Sequence, residues 1–261
     1  MAFDVKQLSQ ADAALRRSSI QTSPVTGDAT ATSMFVGLSI QTYYSIQHVQ
    51  AAAYFVRRAS RLERRSAATP GCPRLDVAIQ GYASSSLFTM VAFLEALANE
   101  LFADAAKSDG GHLSVLDPQI RKLIAELGQI ESVERASVMS KFDVLLRAAA
   151  QQAVPKDRTP GQDLATAIRL RNELVHYKAE WFDMGTPGMV RPGNFSESKL
   201  AQQIRGRFSG RHGARGPDSW LGGGCAKWAL ANAIAYTDEV FSRLSITPLY
   251  EHVRSELASA E

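Results

Sequence analysis

The stretch "AIRLRNELVHYKAEW", residues 167–181, decides the fold class. Its apolar residues recur at steps of three and four, the period of an amphipathic helix, with none of the alternation of a strand. At 100° per residue from Ile168, Leu164 falls at about 320°, Val175 at about 340°, Ala167 at about 260° and Leu174 at about 240°. Arg171 falls at about 300° on the same count, inside that stripe, where a leucine would be expected. Asn172 and His176 share the neighbouring polar flank as an i, i+4 pair. The helix is expected to begin after "TPGQD", with Thr159 or Asp163 as N-terminal cap.

Helical patterning continues outward on both sides. From Met34 it runs through "FVGLSIQTYYSIQHVQAAAYFVRRASRLERR" and stops at the Pro and Gly of "TPGCP". A second long helix, "RLDVAIQGYASSSLFTMVAFLEALANELFADAAK", is closed by "SDGGH". Shorter runs follow at "DPQIRKLIAEL" and "SVMSKFDVLLRAAAQQ", and a last long helix at "CAKWALANAIAYTDEVFSRL", with a short tail helix after Pro248. Residues 1–30 read as a flexible lead-in, and residues 31–261 as one helical domain. No period-two alternation persists and no repeat has a solenoid spacing. The expectation is an all-α, multi-helix bundle with a Gly/Arg-rich loop insertion before the last long helix.

That insertion spans residues 185–219. It holds six basic residues (Arg191, Lys199, Arg205, Arg207, Arg211, Arg215) against two acidic ones (Glu197, Asp218), with at most a short helix near 197–205. Its excess of positive charge is greater than the +3 of the whole chain. "RGRFSGRHGARG" interleaves arginine with Phe208 and glycine, as RNA-binding segments do, so Arg205, Arg207, Arg211 and Arg215 are candidate phosphate contacts. The competing reading is a solvated loop with incidental charge. The arginines at 57, 58, 61, 64 and 65 cluster towards a helix C-terminus, where the dipole favours cations, and read as a solvated helix end.

Composition bounds the class without naming a partner. A chain of 261 residues that is 45% hydrophobic and 21% charged has the makeup of a soluble globular protein. Its two cysteines, Cys72 and Cys225, lie outside any CxxC pattern, so no disulfide framework is expected and a reducing cytoplasm is the default. The N-terminal segment lacks the apolar core of a signal peptide. No uninterrupted apolar run reaches membrane-spanning length, so no span is expected. The histidines show no HExxH or comparable spacing, so no metal and no other cofactor is expected. "GGGC" at 222–225 reads as a turn into the last helix, since neither a preceding strand nor a following Lys-Ser/Thr makes it a phosphate loop.

Arg171 admits two readings. It lays its stem on apolar neighbours and carries its charge to water, or it faces a cleft where it pairs with a carboxylate or awaits a phosphate. Glu95, at the edge of the apolar stripe of "MVAFLEALANELF", is the best internal carboxylate for it.

With those residues in view, "RNELVH" resembles the R-x4-H motif of the HEPN superfamily of small helical bundles, in which a polar residue, often asparagine, follows the arginine. "LFTMVAFLEALANELF" is similar to the family's earlier helix, and the resemblance extends over roughly residues 30–245 apart from the insertion. Some family members carry a tyrosine two residues after the histidine; here that position is Lys178, and Tyr177 is adjacent instead. The resemblance implies metal-independent RNA cleavage by a homodimer acting as a toxin or antiphage-defence effector, with an antitoxin or other defence-system protein as a further partner.

The residue types suit that chemistry on their own terms. Attack of a ribose 2′-hydroxyl on its own phosphodiester needs a proton-transfer group that titrates near neutrality, and His176 is the natural candidate. It also needs fixed positive charge against the phosphorane, which a planar arginine such as Arg171 supplies. Asn172 would orient the phosphate or the imidazole, with Glu95 and Tyr177 in support. Positions five apart on a straight helix diverge by roughly 140°, so one composite site across a two-fold dimer is expected. The alternative is a non-catalytic helical module that binds RNA or a protein.

Overall fold

The computed structural model describes residues 42–68, 72–107, 109, 111–176, 199–204, 206–208 and 220–258. Among them every regular element is a helix, in the order α1 (Tyr44–Ala68), α2 (Pro73–Ala105), α3 (Pro118–Gly128), α4 (Glu131–Glu134), α5 (Val138–Ala148), α6 (Gly161–Val175), α7 (Lys199–Ile204), α8 (Gly223–Leu244) and α9 (Arg254–Ala258). Single 3-10 turns lie at Gly111–Leu113 and Glu251–Val253. The chain is therefore an all-α, multi-helix bundle. Residues 1–41 lie outside the described residues, including the sequence-predicted start of the first helix at Met34. Thr42 and Tyr43 are not helical, so within the described chain that helix begins only at Tyr44.

Local chemistry explains several boundaries. Pro73 opens α2, where a missing N–H costs nothing, and Pro118 opens α3 behind Asp117, whose carboxylate accepts from the Gln119 N–H at 2.7 Å. Ser137 caps α5 by accepting from the Ser140 N–H. The start of α1 is held from another helix. Glu100 of α2, itself buried, accepts from the Ser45 backbone N–H at 2.9 Å and from the Ser45 hydroxyl at 2.5 Å. A carboxylate there meets both unsatisfied N–H groups and the positive end of the helix dipole.

α1 and α2 form an antiparallel hairpin, as the pairings Ser45–Glu100 and Ser86–Ala52 show. α2 is the central element, touching α1, α3, α5, α6 and α8. It is also the one helix among the described residues that is long and apolar enough to cross a membrane. In this fold its apolar residues, Leu87, Met90, Phe93, Leu94, Leu97 and Leu101 among them, are the core. α8 lines the other side with Cys225, Ala229, Ala233, Tyr236, Val240 and Phe241. The N-terminus of α8 presses on α1 so closely that a Cβ on Gly223 would lie 2.5 Å from the Ser60 hydroxyl and 2.9 Å from a Glu63 carboxylate oxygen. Both cysteines are free thiols; burial, with Glu63 nearby, pushes that of Cys225 up to about 12.

Candidate active site

The helix that carries the motif is anchored at its start. Gly161 is required there, because a Cβ would stand 2.0 Å from the Pro155 carbonyl oxygen. The N-cap position is Pro160 and makes no side-chain cap bond, so neither Thr159 nor Asp163 has the capping role expected of it. The two bond to each other instead: the Thr159 hydroxyl donates to Asp163 at 2.9 Å. Asp163 is buried in the first turn and ion-paired with Arg207.

α6 buries Asp163, Leu164, Thr166, Ala167 and Leu170. The buried face is thus centred at roughly 240° on the helical count rather than at Arg171. Arg171 occupies the edge of that face, half-buried, next to half-buried Ile168 and exposed Val175. Its Nε is buried and, among the described residues, has no hydrogen-bond partner. Glu95 does not serve it. The Glu95 carboxylate takes an ion pair from Lys141 of α5 at 3.1 Å, and the same ammonium donates to Asn99 Oδ1 at 3.0 Å. A buried lysine would be costly alone, which is why the carboxylate goes to it. The signal was available: Lys141 sits three residues after buried Val138 and four before buried Leu145, on the inner face of α5.

Helix α6 runs to Val175, and the rest of the expected stretch, residues 177–181, lies outside the described residues. His176 is the first residue past it, with φ −104° and ψ 24°, and its backbone N–H closes the last turn on the Asn172 carbonyl at 2.9 Å. Asn172 and His176 are both exposed. Among the described residues, no hydrogen bond links the side chains of Arg171, Asn172 and His176. Tyr177, Arg205, Arg211 and Arg215 lie outside the described residues.

Of the four candidate arginines of the insertion, Arg207 is the one among the described residues. Its guanidinium pairs with Asp163, donates from Nη2 to Gln162 Oε1 at 3.3 Å and from Nε to the Gln203 carbonyl at 2.5 Å. Phe208 packs on Trp228 with ring centroids 5.2 Å apart. Both residues tie the segment after α7 to α6 and α8.

A second polar cluster went unread in the sequence. Asp104 is fully buried and meets the Tyr43 hydroxyl at 2.7 Å, the Lys107 ammonium at 2.6 Å, His112 Nδ1 at 2.8 Å and the His112 backbone N–H at 3.2 Å. Burial alone would raise its carboxyl, but the bonds from Lys107, Tyr43 and His112 outweigh it and hold it below the ordinary carboxylate range. Gly111, at φ +48°, leaves room for this arrangement; a Cβ there would lie 2.7 Å from the Asp104 carboxyl carbon. The cluster ties the entry to α1 and the turn after α2 onto the end of α2. Among the described residues no group of three His, Cys, Asp or Glu side chains is placed to hold a metal ion. Compared with protein-family models, curated proteins and solved structures, the chain gives no match.

Proposed function

We propose that the chain is a HEPN-like endoribonuclease that cleaves RNA without a metal, through Arg171, Asn172 and His176. The observation that carries the reading is the state of Arg171: a half-buried guanidinium with a buried, unpartnered Nε, beside exposed Asn172 and His176. A fold gains nothing from an unsatisfied buried donor. A phosphate oxygen satisfies it, and charge-assisted bonds from a guanidinium strengthen as the phosphorane gathers negative charge. His176 takes the proton of the 2′-hydroxyl as that oxygen attacks phosphorus. The 5′-oxygen leaves with a proton, giving a 2′,3′-cyclic phosphate and a 5′-hydroxyl.

One copy of the motif supplies one histidine, while the reaction moves a proton at each end. A second copy docked on the apolar edge formed by Ile168 and Val175 would bring its own Arg171 and His176 to the same cleft. Val175 is 53% exposed. The cellular role, a toxin or antiphage effector acting in the cytoplasm, rests on the resemblance of "RNELVH" to the HEPN motif. The rival reading, a non-catalytic RNA- or protein-binding module, is favoured by one feature: no side chain among the described residues orients the His176 imidazole.

The deciding experiment incubates purified protein with RNA in EDTA, beside His176→Ala and Arg171→Ala, with circular dichroism confirming the helical fold. Cleavage to cyclic-phosphate ends by wild type, lost in both variants, is the expected result. Undiminished cleavage in both variants would sink the site, and no cleavage by any of the three would leave the binding module.

A further inference from the structure

We propose that the outer face of α1, built on Tyr54, Arg58, Arg61 and Arg65 and continued by Tyr82 of α2, is a docking surface for single-stranded RNA. The choice of RNA over other polyanions rests on the proposed function; the surface itself rests on separate residues. On the helical count, Tyr54, Arg58, Arg61 and Arg65 fall within an arc of roughly 60°. Arg58 is clamped between two rings, its guanidinium carbon 5.9 Å from the Tyr54 centroid and 5.6 Å from that of Tyr82. Phe55 extends the aromatic set, 6.1 Å from Tyr82. The Nε of Arg58 is buried and, among the described residues, unpartnered, and the guanidinium's contacts are with the side chains of Tyr54 and Tyr82.

Charge on this helix is one-sided. α1 carries five arginines and a single acid, Glu63, which falls about 180° from Tyr54. There it lies against Gly223 at the start of α8. The dipole of α1 acts within its last turn, and of these arginines only Arg65 is there. The solvated-helix-end reading therefore leaves Arg58 and Arg61 unexplained. Tyr54 is 48% exposed and pre-positioned by Arg58, while Arg61 and Arg65 project freely to solvent. A half-exposed ring beside spaced cations fits a strand whose bases stack and whose phosphates run alongside. A duplex hides its base faces.

The test is fluorescence anisotropy with a labelled oligouridylate in EDTA across graded salt, in a His176→Ala background so that the probe stays intact. Tyr54→Ala is expected to weaken binding roughly tenfold, the loss of about one stacked base, while Tyr54→Phe retains it. Arg61→Ala with Arg65→Ala is expected to flatten the log–log salt dependence by about one to two units. Binding by Tyr54→Ala as tight as its parent overturns the proposal. So does equal loss in Tyr54→Phe, or tighter binding to phosphatidylserine vesicles or to the oligodeoxyuridylate. Cleavage, assayed separately with His176 present, keeps the two claims apart. RNA that binds through Tyr54 but is never cut removes the nuclease and leaves the surface; RNA that is cut although Tyr54→Ala binds normally removes the surface and leaves the nuclease.

Discussion

Replacing Arg171 with methionine should stabilise the protein while disabling it. Arg171 brings a buried Nε without an acceptor into the edge of the α6 packing face. An unsatisfied buried donor costs about 1–3 kcal/mol, and because the guanidinium is half-exposed the lower end applies, near 1 kcal/mol. Methionine keeps the unbranched stem and matches arginine in helix propensity, so no opposing local term arises. The net gain of about 1 kcal/mol corresponds to a rise in Tm of roughly 2–4 °C for a domain of this size. Cleavage should fall by about 10²–10³, the usual cost of removing one donor aimed at developing charge. Thermal unfolding followed by circular dichroism and RNA cleavage on the same preparation read both quantities. A lower Tm would refute the reasoning, since it would mean that the guanidinium already has a structural acceptor. An unchanged rate would refute the assignment of Arg171 to the phosphorane.

Glu95→Gln should leave cleavage within a few-fold of wild type while costing about 1–3 kcal/mol in denaturant titration, because it removes the counter-charge of buried Lys141 and does not touch Arg171. Asp104→Asn should cost about 2–3 kcal/mol at neutral pH through loss of charge-assisted bonds to Tyr43, Lys107 and His112. Because the Asp104 carboxyl is held below its ordinary value, that difference from wild type is present above about pH 4 and shrinks as pH falls through the lowered value. Stability curves of both proteins from neutral to acid pH check this, and a gap that widens in acid would contradict it. Gly161→Ala should destabilise by about 1–3 kcal/mol in the same titration, since its Cβ meets the Pro155 carbonyl, a backbone atom that cannot rotate away.

Much of this bundle was legible from periodicity alone, because a helix advertises its buried face every three to four residues. The stops at "TPGCP" and "SDGGH", the short helix inside 197–205 and the last long helix all follow from that period and from Pro and Gly placement. The motif residues were legible too, since Arg171 broke an apolar stripe that the sequence displays openly. What periodicity could not supply was partnership. Glu95 and Lys141 are 46 positions apart, and Arg207 and Asp163 are 44 apart. Which cation meets which carboxylate depends on how whole helices cross, and no local pattern encodes a crossing. The same holds for Asp104, whose donors arrive from Tyr43 ahead of α1 and from the turn that follows α2. The sequence by itself determined an all-helical chain and put Arg171, Asn172 and His176 forward as candidates for phosphate chemistry, because both readings rest on short segments. Only the tertiary structure decided that Glu95 pairs with Lys141 and leaves Arg171 without a carboxylate among the described residues, that Arg207 pairs with Asp163, and that Arg58 is held between two tyrosines, because each is settled by what the rest of the chain brings alongside.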